Sequence, residues 1–443
     1  MTDLILSINI VDGPAVVVLV VLSLGLAGFL LARRPTLVWV LTALVGVLAG
    51  AAIALVTVFL TEKVFNLFGV GFSPTTITWI VLTFAGIGLA IVNLWLSRWW
   101  RKVIAGVAIV VFALTGTVGV NSSIGLTKTV GALLGIGTEK PLVVPTGLPT
   151  TPHPTGTSSP STPPSTVPLY QSWTPPADMP SVGTVGTIDI PNTNSGFVAR
   201  KALAYLPPAA LVQGAPALPV IIQLNGSPGS PGLDDPKSIL DQMASANKGL
   251  APIVINPDQL GDPSKDPLCL DATSDKVETY IMDDVVPYVR THFNVLQDPK
   301  SWAFVGFSNG GECAAYFGAK YPEVFGNVVD ISGDQYQAIG DNGAAKKYFG
   351  GDSAAYRAAW PENILASGAH AYPDTLGVFT AGSDDQEINA GVRTVFAAAK
   401  AAGWKASFTE IPNAGHDGPA LDIGLQTGYN ALYPRWGLAA STG

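Results

Sequence analysis

Four apolar stretches fill most of the first 121 residues, and none of them carries an interior charge. They run from Pro14 to Ala32, from Leu37 to Leu60, from Thr76 to Leu96 and from Val103 to Val120. Each has the roughly 18–24 residues that cross about 30 Å of hydrocarbon as a helix, with every backbone polar group bonded within the segment. A cleaved signal peptide would account for the first stretch alone, but its apolar run is too long for that and three more follow. Composition agrees. Only 13% of residues are charged and the mean hydropathy is +0.36, where soluble proteins carry about 25% charged residues.

Basic loops set the expected orientation, because Lys and Arg stay on the cytoplasmic side. Arg33 and Arg34 lie between the first two spans, and Arg98, Arg101 and Lys102 lie between the last two. The middle loop has only Lys63, beside Glu62. Both termini of this region are therefore expected outside the cytoplasm, with Trp95, Trp99 and Trp100 as an aromatic belt at the inner face. No span holds an acidic, basic or His residue for an ion path, so a plain anchor is expected rather than a transporter. Gly46, Gly50, Gly86 and Gly88 would let helices approach closely, although such residues are common in apolar helices.

Three regions follow: a membrane domain over 1–137, a Pro/Thr/Ser-rich linker over 138–182 and a catalytic domain over 183–443. Between Pro141 and Pro168 nine prolines stand among Thr, Ser and Gly, a composition for an extended tether and not for a packed core. His153, inside it, is expected to be solvated. Residues 1–137 hold seven basic and three acidic side chains, a balance of +4; the remainder hold 17 and 29, a balance of −12. That acidic remainder argues against nucleic acid as a partner.

From Gly183 onward short apolar runs alternate with helical patterns. Thr184–Ile190 and Phe197–Leu206 read as an opening antiparallel pair. Pro219–Leu224, Ile253–Ile255, Trp302–Val305, Val328–Ile331 and Thr375–Thr380 read as strands buried on both faces, and Ala406–Ile411 as a further strand. Helices are expected over Pro236–Ala246, Ser274–Phe293, Gly310–Tyr321 and Glu387–Ala402. This rhythm predicts a mostly parallel sheet with helices on both faces.

The sharpest motif is Gly306-Phe307-Ser308-Asn309-Gly310, a G-x-S-x-G between an apolar strand and a helix, the context of a nucleophile elbow. A serine nucleophile needs an oriented base, in the chain order Ser, acid, His. Of four His residues, His416 follows the last strand in Pro412-Asn-Ala-Gly-His-Asp-Gly418 and is the expected base; His292 ends a helix before the elbow, and His370 reads as structural or pocket-lining. For the acid, the pattern Gly382 to Ile388 favours Asp385, with Asp384 next and Glu387 third; helix capping is the competing role for these residues. Two backbone N–H groups should form an oxyanion hole. Asn309 supplies one at a helix N-terminus, and Ser227, in the loop Leu224-Asn-Gly-Ser-Pro-Gly-Ser-Pro-Gly232, supplies the other because Pro228 has none. The two cysteines, Cys269 and Cys313, exclude a cysteine-rich metal site. Outside the cytoplasm they can stay oxidised, and a Cys269–Cys313 disulfide beside the elbow is expected, with two free buried thiols as the alternative. The five tryptophans Trp173, Trp302, Trp360, Trp404 and Trp436 either line a lipid or aromatic pocket or, more commonly, pack in a core.

Leu224-Asn-Gly-Ser-Pro-Gly, Gly306-Phe-Ser-Asn-Gly-Gly311, Val329-Asp-Ile-Ser-Gly333, Gly382-Ser-Asp-Asp and Gly415-His416 resemble the putative esterase family of α/β-hydrolases. That family includes esterase D, feruloyl esterases and actinobacterial mycolyltransferases. The resemblance covers about residues 185–435. It implies Ser308 as nucleophile, His416 as base, Asp385 as acid, an oxyanion hole at Ser227 and Asn309, and no metal or organic cofactor. The chain departs from the common pattern in having Asn225-Gly226 where His-Gly is usual. An ester or acyl-lipid substrate is implied, cleaved by water or, as in the mycolyltransferases, passed to a sugar or lipid hydroxyl. A non-catalytic envelope scaffold is a third possibility, which the complete Ser–Asp–His order disfavours.

Overall fold

The four apolar stretches are helices in the computed structural model, which describes residues 2–65, 71–95, 97–137, 139–143, 167–263, 265–272, 275–333, 335 and 340–440. The part of the linker from 144 to 166, and His153 with it, lies outside the described residues. The chain forms two compact units, Met1–Thr138 with Gly415–Pro419, and Glu139–Ala414 with Ala420–Gly443.

In the first unit the long helices are α1 (Pro14–Leu31), α2 (Leu37–Phe59), α3 (Pro74–Val92) and α4 (Trp99–Ile124). All four are long and apolar enough to cross a membrane. The third begins earlier than its apolar run, because Ser73 accepts a hydrogen bond from the Thr76 N–H and Pro74 takes the first helical position, where its missing N–H costs nothing. The two basic loops meet at one end of the bundle. Arg33 donates to Ser97 Oγ at 2.8 Å, and Arg101 donates to the carbonyls of Phe29 and Leu30. Those carbonyls belong to the last turn of α1, where the regular i+4 donors run out; that of Phe29 also accepts the Ala32 N–H at 3.2 Å.

The glycines singled out in the sequence are contact points. A Cβ on Gly50 would lie 2.1 Å from the Phe84 carbonyl oxygen, and one on Gly88 would lie 2.1 Å from that of Gly46. The α2 and α3 backbones thus touch through small residues. Gly50→Leu is expected to destabilise the detergent-solubilised chain by about 1–3 kcal/mol, seen as a lower melting temperature. Gly25→Leu, where a Cβ meets nothing within 4 Å, serves as control. Equal melting temperatures for the two variants would refute the contact.

The second unit is built on an eight-stranded sheet in the order β1-β2-β4-β3-β5-β6-β7-β8. Its strands are β1 (Thr184–Ile188), β2 (Ala202–Leu206), β3 (Val220–Leu224), β4 (Ile253–Asn256), β5 (Trp302–Phe307), β6 (Asn327–Ile331), β7 (Leu376–Gly382) and β8 (Lys405–Ile411). β2 runs antiparallel to β1 and β4, and the rest are parallel. β2 to β6 are buried throughout, as a sheet covered on both faces requires. β2 starts at Ala202 and not at Phe197. The preceding loop is held by side chains instead of a ladder, with the N–H groups of Asn194 and Ser195 donating to the Asp284 carboxylate.

The α-helices of six residues or more here are α5 (Asp234–Ala246), α6 (Val286–His292), α7 (Asn309–Lys320), α8 (Gly340–Phe349), α9 (Ser353–Ala358), α10 (Pro361–Ala366), α11 (Gln386–Ala401) and α12 (Gly418–Arg435), the last belonging to this unit from Ala420 onward. The single helix expected over Ser274–Phe293 is broken up. A wide-turned segment, Tyr280–Val285, precedes α6, and Pro287, in the first turn of α6, lacks the N–H that a regular ladder continuing through this point would need. The strand order reverses at β3, with β4 on one side and β5 on the other. In a doubly wound sheet the crevice for ligands opens at the carboxyl ends of the strands at such a point.

Candidate active site

β5 ends at Phe307 and α7 begins at Asn309, so Ser308 alone makes the turn at the reversal point. Its φ of 57° and ψ of −122° are strained for a residue with a Cβ. Its N–H donates to the Ile331 carbonyl at 3.0 Å. The flanking glycines explain how the turn closes. A Cβ on Gly306 would sit 1.9 Å from the Gly310 oxygen, and one on Gly310 would sit 2.2 Å from the Leu224 oxygen. Only residues without side chains let strand, turn and helix approach this closely. Asn309, as the first residue of α7, has a backbone N–H with no intrahelical acceptor, beside the positive end of the helix dipole.

The loop after β3 lies against this turn, for a Cβ on Gly226 would come within 3.0 Å of the Ser308 Cβ. Ser227 is the next residue, and its hydroxyl donates to the Lys265 carbonyl at 2.8 Å. Asn225 donates from Nδ2 to the Ser230 carbonyl at 2.8 Å. Its side chain therefore folds back to close its own loop.

The loops after β7 and β8 are stitched to each other. Asp384 N–H donates to Ala414 O, and Asn413 N–H donates to Ser383 Oγ, both at 2.9 Å. Asp385 stands at the N-cap of α11, yet its side chain makes no capping hydrogen bond there. Asp384 is exposed and its Oδ1 accepts from Ser383 Oγ at 3.0 Å. Glu387 lies exposed in the first turn of α11. His416 follows β8 by five residues in a half-buried loop, which Asp417 bends by accepting the Gly415 N–H at 2.9 Å.

The other described histidines lie elsewhere. His370 lines a cleft of about 490 Å³ with Lys300, Gly326 and Thr375, residues that precede β5, β6 and β7. That cleft is at the amino-terminal edge of the sheet, opposite Ser308. His292 closes α6, its ring stacked on Tyr288 at 4.0 Å. Trp302, Trp404 and Trp436 are buried in the core; Trp173 donates to the Lys248 carbonyl and Trp360 packs edge-on against Tyr356. Cys269 and Cys313 form a disulfide with their Cα atoms 5.2 Å apart. It ties the loop after β4 to the second turn of α7.

Residues 199–428, more than half of the chain, match the family described as "Putative esterase". The chain belongs to this esterase family. Over 266 residues it is 33% identical to an uncharacterized protein of Corynebacterium glutamicum, a match covering 58% of this chain and 62% of that protein. The chain thus spans less than two thirds of that relative's length. Among solved structures it is similar to a ferulic acid esterase (TM-score 0.48, 17% identity, 57% of this chain and 99% of that one). It is also similar to an S-formylglutathione hydrolase from Agrobacterium tumefaciens (TM-score 0.47, 21% identity, 58% and 98%). The esterase domain is an α/β-hydrolase fold: a mostly parallel sheet, an antiparallel second strand and a strand–serine–helix elbow at its centre.

Sequence reading missed one part of this site in the esterase domain. Asn256, Asp258 and Gln259, at the carboxyl end of β4, hold the loop after β3 from below. Asn256 Oδ1 accepts the Gly232 N–H at 2.6 Å. Asp258, fully buried, takes a two-pronged ion pair from Arg200, whose Nη1 reaches the Gly229 carbonyl at 3.0 Å. The only sequence signal was a polar Asn-Pro-Asp-Gln run at the end of an apolar strand.

Proposed function

We propose that this chain is a membrane-anchored serine esterase. In this reading residues 1–137 form the anchor, 138–182 the tether and 183–443 the catalytic domain, which faces away from the cytoplasm. His416 takes the proton from Ser308 Oγ as that oxygen attacks an ester carbonyl. Asp385 orients the imidazole and stabilises its charged form. The N–H groups of Ser227 and Asn309 receive the developing oxyanion, each such donor contributing about 3 kcal/mol to the transition state. Loss of the alcohol leaves an acyl-enzyme on Ser308, and water releases the acid.

The strained turn at Ser308 carries this reading. Strain of order 1–3 kcal/mol at one residue is kept where a function needs it, and this one displays a hydroxyl at the helix end and at the sheet's crossover point. His416 and Asp385 are supported by their places after β8 and β7, the two strands that follow in catalytic order. The meeting of the basic loops at one end of α1–α4 supports the orientation, since that end then faces the cytoplasm.

The test uses the full chain in membranes. A fluorophosphonate probe should label it at Ser308, and a membrane-impermeant version should label it on intact cells. Incubation with short-chain esters and envelope glycolipids, with and without a hydroxyl acceptor, should release free acid in both cases. Absence of labelling on solubilised protein would end the proposal; an acylated acceptor in place of free acid would make the chain a transferase with the same acyl-enzyme.

A further inference from the structure

We infer that Gln259 is a positioning residue of the oxyanion hole; this rests on the serine esterase reading above. Its Nε2 donates to the Asn225 carbonyl at 2.6 Å and to Asn309 Oδ1 at 3.1 Å. One amide nitrogen thus bridges the two segments that carry the proposed oxyanion donors, Ser227 two residues beyond Asn225 and the backbone N–H of Asn309 itself. Gln259 and Asn309 are each only 3% exposed, so water does not compete for these bonds and their geometry is fixed.

The direction of the bridge is settled by its surroundings. Asn309 Nδ2 donates to Asp266 Oδ1 at 3.0 Å and to the Pro267 carbonyl at 2.9 Å. Both partners are acceptors, so the Asn309 amide must turn its oxygen toward Gln259. The Asn225 carbonyl is an acceptor as well. Only a nitrogen of Gln259 satisfies both, and no other residue type of this length supplies a neutral NH₂ with both protons directed. Gln259 is itself held, since it follows Asp258, whose carboxylate is fixed by Arg200 and accepts the Leu260 N–H at 3.2 Å.

The inference concerns separation, not contact with substrate. The loop after β3 has no ladder or helix to define it, and it meets the elbow through Gly226. Without the bridge it would remain tethered at the Ser227 hydroxyl and at Gly229–Gly232 but lose its hydrogen-bonded tie to α7. An oxyanion hole works only when its donors stand about 2.7–3.1 Å from the oxygen that develops charge. Small misplacement costs rate while substrate binding, made elsewhere, is spared.

Gln259→Leu and Gln259→Glu test this in the full chain. The first deletes both bonds at similar volume; the second sets an oxygen against two acceptors. Each is expected to lower kcat roughly 10- to 100-fold with KM within about twofold. The inhibition constant of a trifluoromethyl ketone analogue, whose adduct presents an oxyanion, should rise by the same factor as kcat falls. The pH profile of kcat/KM should keep its midpoint, because the base is untouched. Unchanged kcat in folded variants would overturn the inference, as would a loss shared equally by KM, or loss of the fold in both variants, which would make the residue structural. If the wild-type chain neither labels with fluorophosphonate nor hydrolyses esters, the esterase reading fails first. If it does both and the variants match it, only the role of Gln259 falls.

Discussion

Ser308→Ala in the full chain is expected to abolish fluorophosphonate labelling and to lower ester hydrolysis by about 10⁴-fold or more, as removal of the nucleophile does in enzymes of this kind. The fold should survive. Alanine and serine meet the same strain at a φ of 57°, and the Ser308 N–H bond to Ile331 O belongs to the backbone. Ser308→Gly goes further. It should be equally inactive but more stable by about 1 kcal/mol, since glycine adopts this conformation without penalty. Melting curves beside initial rates check both expectations. A variant that keeps more than a hundredth of the activity would remove Ser308 from the proposed role.

Asp385→Asn should cost about 10³- to 10⁴-fold in kcat, and Asp384→Asn only a few-fold. An asparagine holds the imidazole in the wrong tautomer and does not stabilise its cation. Both residues lie at the β7–α11 junction, where a cap is also wanted, but the capping role does not claim Asp385. Asp384 is exposed and engaged by its neighbour Ser383, and its backbone serves the β8 loop. Steady-state kinetics on the two variants decide the matter; a larger loss at Asp384 would exchange their assignments.

What could be read from the sequence was local. The four spans follow from hydrophobic length, and the elbow follows from two glycines whose contacts lie within five residues or on the adjacent strand. The strands from β3 to β7 follow from short apolar runs. What escaped depends on distant partners. α12 was missed because Gly424 and Gly428 argue against a helix by propensity. In the structure they face the sheet, where a Cβ would lie 2.5 Å from Ile331 Cγ2 or 2.6 Å from Val329 Cγ1, so packing overrides propensity. The tie from Gln259 to Asn225 and Asn309 spans 34 and 50 residues, and no spacing rule marks it. The short helices α8–α10 between β6 and β7 have weak periodicity, and their sequence gave no helix expectation.

α7 has a consequence of its own. Every residue from Asn309 to Ala319 is buried, so the helix that carries the elbow offers no surface that selection could vary freely. The α8–α10 insert has exposed positions along all three of its helices. Substitutions are therefore expected to be tolerated at the exposed positions of α8–α10 and to be costly all along α7.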